Sequence, residues 1–332
     1  MATKPALTRS LFRTAACFLA AACCSPASAQ QDAGARFPSK PIRMVVGFAA
    51  GGATDIFARL LAPMMFRDSG QPVIVENRPG AGSIIGAEFV ARSAPDGHTL
   101  LMGPITTLAA NSVIYARLPY APKDFAPVTI LSSSPYILVA GKASGVRNMR
   151  ELLEYAKASP NKANAAGASP GIELVKILFT VEAKVPFEYV GYKSTTESVA
   201  AVMSGQVLMT LSDAPALTAP LRAGSVVGIA VSSQKRMAAF PDMPTMAELG
   251  LDRIDMLSLN TIVAPAGTPP AVVQRLQEEF SRLLRLPDVQ EKLAGLASEP
   301  VGSTVEEFRR VMAKEIERWT MVSKVGNFKP IQ

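Results

Sequence analysis

Short apolar runs alternate along this chain with segments whose apolar positions recur every three or four residues. Runs at 42–46, 73–75, 99–102, 136–140 and 226–231 predict strands, and the spacing at 84–92, 149–158 and 195–203 predicts helices. Such alternation implies an α/β fold: parallel sheets covered on both faces by helices, with ligands in the crevice at the carboxyl ends of the strands. The last third turns helical. Pro269-Pro270 start one helix through Leu286, and Ser303 with Glu306 forms a capping box for another that runs to about Lys324. Pro63 should kink the first helix unless that helix stops near Leu61.

The most informative local pattern is at 40–59, KPIRMVVGFAAGGATDIFAR, where an apolar strand empties into a Gly-rich turn that opens a helix. Gly51-Gly52 let the backbone turn where a β-carbon would clash, and Thr54 or Asp55 can cap the helix. The first N–H groups of a helix have no partner inside it and carry a partial positive charge of ~0.5, so a carboxylate or phosphate can bind there without Arg or Lys. The same pattern also serves as a plain helix start. A second candidate corner is Pro79-Gly80-Ala81-Gly82-Ser83, with the helix beginning near Ile84. There, tight packing of helix on strand and a ligand role are equally open.

The first residues bear on compartment. Lys4, Arg9 and Arg13 precede a small apolar segment, and Ala27-Ser28-Ala29 supplies the small-residue cleavage pattern of a secretory signal peptide, which predicts residues 1–29 as leader and a periplasmic mature chain from Gln30. Cys17, Cys23 and Cys24 all lie in that leader, so the mature chain has no thiol for a disulfide or metal site. No other segment offers the ~20 apolar residues of a bilayer span. The formal charge of +7 falls by three without the leader, and the remaining Lys and Arg are scattered among acids, which argues against nucleic acid.

Enzyme chemistry fares poorly. Gly167-Ala168-Ser169-Pro170-Gly171 spells the G-x-S-x-G of a serine hydrolase, but the residue after the Ser must donate an N–H to the oxyanion hole and Pro170 has none. The only histidine, His98, precedes the Ser, against the order in that fold, and is expected at a surface or strand-edge aromatic position. Gly80, Gly82 and Gly86 mimic a dinucleotide fingerprint, yet the acidic residue expected ~20 positions on is poorly matched by Asp96. One His, no mature Cys and no close acidic cluster leave neither zinc spacing nor a calcium loop, so neither cofactor nor metal is expected.

Seven motifs in order carry a family resemblance: the 40–59 stretch; GQPVIVENRPGAGSIIGAEFVARSAPDGHTLLMG at 70–103; DFAPV at 124–128; Tyr192-Lys193 with Gly205-Gln206-Val207; FPDMPTMAELG at 240–250; APAGTPPAVVQRL at 264–276; and the closing EIERWTMV. Nearly all of the mature chain resembles the substrate-binding proteins of the tripartite tricarboxylate transporter family, the Bug type. The resemblance implies a two-domain periplasmic binding protein of type II-like architecture, a hinge, and a ligand cleft that closes on binding. Domain 1 would comprise 30–135 and 256–332, and domain 2 would be 136–255. It implies no catalysis. A small organic acid would be gripped mainly by backbone N–H groups and water, and the loaded monomer would be presented to a two-component membrane permease. A sensory role at a membrane signalling protein is the alternative.

Carried over residue by residue, the first-domain loop is Phe48, Ala49, Ala50, Gly51, Gly52, Ala53, Thr54 and Asp55, with Asp55 as a cap or water holder. Ala81, Gly82 and Ser83 form the second corner. From domain 2 come Ser169, Pro170 and Gly171, Tyr192 with Lys193, and Ser212 with Asp213. The chain departs from the family pattern where His-Leu becomes Glu173-Leu174 and Phe-Asp becomes Leu211-Ser212. Two prolines become Gly47 and Gly191, a change expected to loosen or reshape the pocket. The identity of the acid is left open among carboxylates, amino acids, aromatic acids and amides.

Overall fold

A computed structural model describes residues 37–331; the expected leader lies outside the described residues. Ten strands form one continuous sheet in the order β2-β1-β3-β9-β4-β7-β5-β6, with β8 and β10 also paired to β4. The first half holds β1 (Ile42–Val46), β2 (Val73–Asn77), β3 (Thr99–Pro104) and β9 (Leu257–Pro265). The second holds β5 (Asn164–Gly167), β6 (Glu188–Gly191), β7 (Met209–Asp213) and β8 (Val226–Val231). β4 (Phe125–Gly141) belongs to both: its first part pairs β9 and the short β10 (Glu299–Pro300), its second part β7 and β8.

The sheet is mixed, which corrects the expectation of parallel sheets. β1 lies parallel to β2 and β3, and β5 parallel to β6 and β7, but every strand joined to β4, and the β3–β9 pair, is antiparallel. The cause is the long β4. Chain that returns from the second half must run back beside it, and β9 does so.

The helices are α1 (Ala53–Leu61), α2 (Ile84–Ala91), α3 (Asn111–Ile114), α4 (Met149–Ala158), α5 (Pro170–Ala183), α6 (Thr195–Met203), α7 (Ala214–Arg222), α8 (Pro270–Leu284), α9 (Pro287–Gly295) and α10 (Val305–Val325). α1 stops at Leu61, and Pro63 sits in a 3-10 turn at Ala62–Met64, where its missing N–H costs no helical bond. Two faces of the first half are covered: Met44, Val46, Met102 and Ile262 face α1 and α8, whereas Val45, Leu101 and Val263 face α2 and Phe308 of α10. Alternation along β1 produces this division. Further along α10, Trp319 and Val322 pack instead with Leu138, Leu174 and Phe179 of the second half. One 21-residue helix thus touches both cores.

The cap of α10 differs from expectation by one residue. Thr304 and Glu307 form the capping box, with Thr304 Oγ1 accepting the Glu307 N–H at 3.2 Å and the Glu307 carboxylate accepting the Thr304 N–H at 2.8 Å. Ser303 is occupied elsewhere: its hydroxyl accepts the N–H of Ile130 and its carbonyl accepts the hydroxyl of Thr129, beside irregularities in β4. Among the described residues no helix is long and apolar enough to cross a membrane.

Candidate functional site

Parallel strands β1 and β3 end at the same edge of the first half, and the loop after β1 is pinned there. Gly51 takes φ 86, a left-handed conformation suited to glycine, and Gly52 occupies the cap position in extended backbone, its carbonyl accepting the Ile56 N–H at 3.0 Å. Gly52 is therefore the cap of α1, and neither Thr54 nor Asp55 is. Thr54 and Asp55 lie in the first turn. Asp55, 3% exposed, accepts the Gly51 N–H at 2.9 Å, Arg59 Nε at 3.0 and 3.1 Å, and Asn77 Nδ2 at 2.9 Å. Asn77 Nδ2 also donates to the Phe48 carbonyl at 3.1 Å, and Arg59 Nη2 donates to Asn77 Oδ1 at 2.8 Å.

This network sets the electrostatics of the loop. Burial pushes the Asp55 carboxyl up, but the bonds from Arg59, Gly51 and Asn77 outweigh it and hold the pKa below the usual value. The carboxylate is paired and turned inward. The N–H groups of Gly52, Ala53 and Thr54 meet no backbone or side-chain acceptor among the described residues. Ala49, Ala50, Gly51 and Gly52 are exposed, while Phe48 packs partly against the core. Thr54 Oγ1 donates to Asn260 Oδ1 of β9 at 3.3 Å, tying the start of α1 to the sheet floor.

The second corner packs directly behind the first. Gly80, Gly82 and Ser83 all have positive φ, with a 3-10 turn at Ala81–Ser83 ahead of α2. Asn111 Nδ2 donates to the Gly82 carbonyl at 3.0 Å and to the Tyr120 hydroxyl at 3.2 Å, and that hydroxyl donates to the Thr107 carbonyl at 2.6 Å. Burial pushes the Tyr120 hydroxyl up to about 12, so it remains a donor. A β-carbon on residue 47 would overlap the Ser83 side chain, and one on Gly86 would stand 3.0 Å from the Gly47 Cα. Gly47 thus lets the two loops approach closely, where any side chain would hold them apart. Gly191 is different: exposed, and with room for a β-carbon 3.6 Å from the Tyr189 ring.

In the second half β5 and β7 also run parallel and end together. Ser169 caps α5, its hydroxyl accepting the Ile172 N–H at 3.3 Å, and Pro170 takes the first helical position. Gly171 is where the halves meet: a β-carbon there would lie 3.5 Å from the Cβ of Thr106, which follows β3. The Tyr189 hydroxyl donates to the Ser169 carbonyl at 2.9 Å. Tyr192 is half-buried at the end of β6, packed with the cluster containing Val190 and Leu221; its N–H donates to the Gly167 carbonyl. Lys193 is exposed and its N–H donates to the Glu197 carboxylate at 3.2 Å. Ser212 is buried and stands opposite Ile137 across the β4–β7 pair, its hydroxyl donating to the Asp213 carboxylate at 3.3 Å; Asp213 is partly buried and stands opposite Tyr136. Glu173 is half-buried; burial raises its pKa against the opposing charge of Lys176.

The hydrolase arrangement is absent from this geometry. The Ser169 hydroxyl is spent on the helix cap. His98 lies just before β3, at the opposite end of that strand from Thr106, with Nε2 accepting the Ser39 N–H at 3.2 Å and Nδ1 donating to the Asp96 carbonyl at 3.0 Å. It is buried against Phe37, ring centroids 4.8 Å apart, where a surface or strand-edge position was expected. Among the described residues no group of three His, Cys, Asp or Glu is placed to hold a metal.

Sequence reasoning missed the residues that hold the loops. Arg59 and Asn77 stand inside the motifs that drew attention, but partners 18 residues apart give no local signal. Asn260 and Thr106 are brought in only by the sheet, and nothing in their neighbourhoods marks them.

Residues 57–327 match the family model described as the tripartite tricarboxylate transporter family receptor. The chain is 36% identical over 287 residues to a protein of the tcbD-tcbE intergenic region of Pseudomonas sp. strain P51, covering 85% of each. To protein BugT of Bordetella pertussis it is 32% identical over 292 residues, covering 86% of this chain and 89% of the relative. Among solved structures, the periplasmic binding protein BugD superposes with TM-score 0.82 at 30% identity, over 89% of this chain and 100% of that one. An R. palustris protein with adipate gives 0.84 at 30%, with the same coverage. MatC from Rhodopseudomonas palustris with bound malate gives 0.80 at 32%, over 86% and 99%. The family and these neighbours are solute-binding receptors, not enzymes, and the fold is that of a two-domain periplasmic binding protein. By the family model, by identity over most of its length and by superposition, the chain belongs to the tripartite tricarboxylate transporter family of solute-binding receptors.

Proposed function

We propose that this receptor captures a small organic carboxylate in the cleft between its two halves and hands it to a two-component membrane permease. The observation that carries the reading is the start of α1. Asp55 is neutralised by Arg59 and turned inward, while the N–H groups of Gly52, Ala53 and Thr54 stay free to meet an anion. The α5 terminus at Ser169–Gly171 faces the same cleft, since Gly171 abuts Thr106. The halves divide at Pro135–Tyr136 and Asp255–Met256, where β4 and the chain into β9 pass between them. Rotation about these crossings closes the cleft on the ligand, and the closed form distinguishes loaded from empty receptor. A leader ending at Ala29 delivers the chain to the periplasm, where it acts as a monomer. The adipate and malate bound by the two R. palustris neighbours support a carboxylate ligand.

The test is a thermal-shift screen of the mature chain against carboxylates and their amides, with calorimetry on each hit. A true ligand at 100 times its Kd stabilises the fold by ~2.7 kcal/mol. Saturable stabilisation by an acid and not by its amide is expected; a response to amides or esters alone would overturn the reading.

A further inference from the structure

Asp213 ends β7 beside the β5–α5 turn and occupies the cap position of α7, yet its side chain makes no capping bond. Its one side-chain partner among the described residues is the Ser212 hydroxyl at 3.3 Å, and no Lys, Arg or His forms an ion pair with it. It stands opposite Tyr136 across the β4–β7 pair, at the point where β4 passes from one half to the other. Residues opposite each other in a ladder share a face, and on β4 Tyr136 shares its face with Ser134. Ser134 is 2% exposed, and its hydroxyl has no hydrogen-bond partner among the described residues. Ser134 in turn faces Ser258 of β9, two residues from the Asn260 that receives Thr54. Asn260, Ser258 and Ser134, followed by the buried Tyr136 that is bonded to Ser258, therefore lead from the anion-binding start of α1 to a carboxylate without a cationic partner.

We infer that Asp213 selects the far end of the ligand, which is an aminocarboxylate: its carboxylate sits on the α1 N–H groups and its ammonium on Asp213. The inference rests on the carboxylate-receptor reading above. A carboxylate partly withdrawn from water is stabilised by a cation or by several donors, and the protein gives this one a single long hydroxyl bond. Burial accordingly raises its pKa, opposed only by its own N–H and by Ser212. An amino-free dicarboxylate would bring a second negative charge against it, whereas an ammonium satisfies it with a charge-assisted bond. Ser134, with a free hydroxyl on the same face, is placed to add a second polar contact.

The experiment compares matched probes by calorimetry on the mature chain: L-aspartate against succinate, L-glutamate against glutarate, and γ-aminobutyrate against butyrate. The wild type should bind at least one amino acid at least about tenfold more tightly than its amino-free partner. Asp213→Asn should erase that preference, and Asp213→Ser, which removes bulk as well as charge, should do the same. Equal or tighter binding of the amino-free acids by the wild type overturns the inference while leaving the carboxylate receptor intact. So does a preference for amino acids that survives in both variants. Absence of binding by every acid overturns both readings together.

Discussion

Thr106 and Gly171 meet across the cleft, with the space for a β-carbon on Gly171 ending 3.5 Å from the Cβ of Thr106. The contact joins the turn after β3 to the start of α5, so it measures how nearly the two halves are closed. A methyl group fits at this distance and a larger side chain does not. Gly171→Ala should therefore leave affinity within about twofold, whereas Gly171→Phe should wedge the cleft and weaken binding by about tenfold or more. Calorimetry with the tightest acid checks affinity, and small-angle scattering checks whether ligand still compacts the variant.

The close approach of Ser83 to Gly47 gives a second prediction. Gly47→Ala drives a β-carbon into the Ser83 side chain and should cost about 1–3 kcal/mol, read as a drop in melting temperature. Ser83→Gly in the same molecule removes the obstruction and also relieves a non-glycine residue at φ 75. The double variant should recover most of the loss, and simple additivity of the two changes would contradict the geometry.

Asp55 ties loop stability to pH. Its folded pKa is depressed, so the stability it contributes is fully present above the unfolded carboxyl pKa of about 3.9 and is lost as pH falls through the folded value. Asp55→Asn should destabilise the fold at pH 7 by about 1–3 kcal/mol, for a buried charged bond broken, and so lower the melting temperature. Its deficit should shrink as pH falls below about 4. Melting curves from pH 2 to pH 8, for both proteins, test the convergence; a deficit that stays constant down to pH 2 would contradict it.

Asp213 should behave in the opposite sense. Its pKa is raised on folding, so its ionisation penalises the ligand-free fold above the folded pKa and the penalty fades as pH falls toward the unfolded one. Ligand-free Asp213→Asn should melt higher than wild type at pH 8 and match it near pH 3, and a lower melting point at pH 8 would contradict the unpaired carboxylate.

Much of this arrangement is legible in the sequence. The helices at Met149–Ala158 and Thr195–Met203 and the strand at Val226–Val231 fall where the apolar pattern places them, because each is decided by its own residues. Of the 17-residue β4 the apolar pattern marks only the second part, because the first part is held by its pairing with β9, distant in sequence. The same holds for the site. Gly51 announces its turn through its own backbone, but Gly52 replaced Thr54 as the cap because the turn closes one step earlier than side-chain preference suggests. Arg59, Asn77 and Asn260 act through partners distant in sequence. Ser303 lost its cap role to a strand irregularity 173 residues away.

The central claim is that main-chain N–H groups at the start of α1 hold the ligand carboxylate. It is tested most directly by following the backbone amide resonances of Gly52, Ala53 and Thr54 in the ¹⁵N-labelled mature chain as a binding acid, and then its amide, is titrated in. Saturable downfield shifts at these three amides with the acid, absent with its amide, are the predicted result. Tight binding of the acid that leaves all three resonances unmoved would contradict the claim and place the ligand elsewhere.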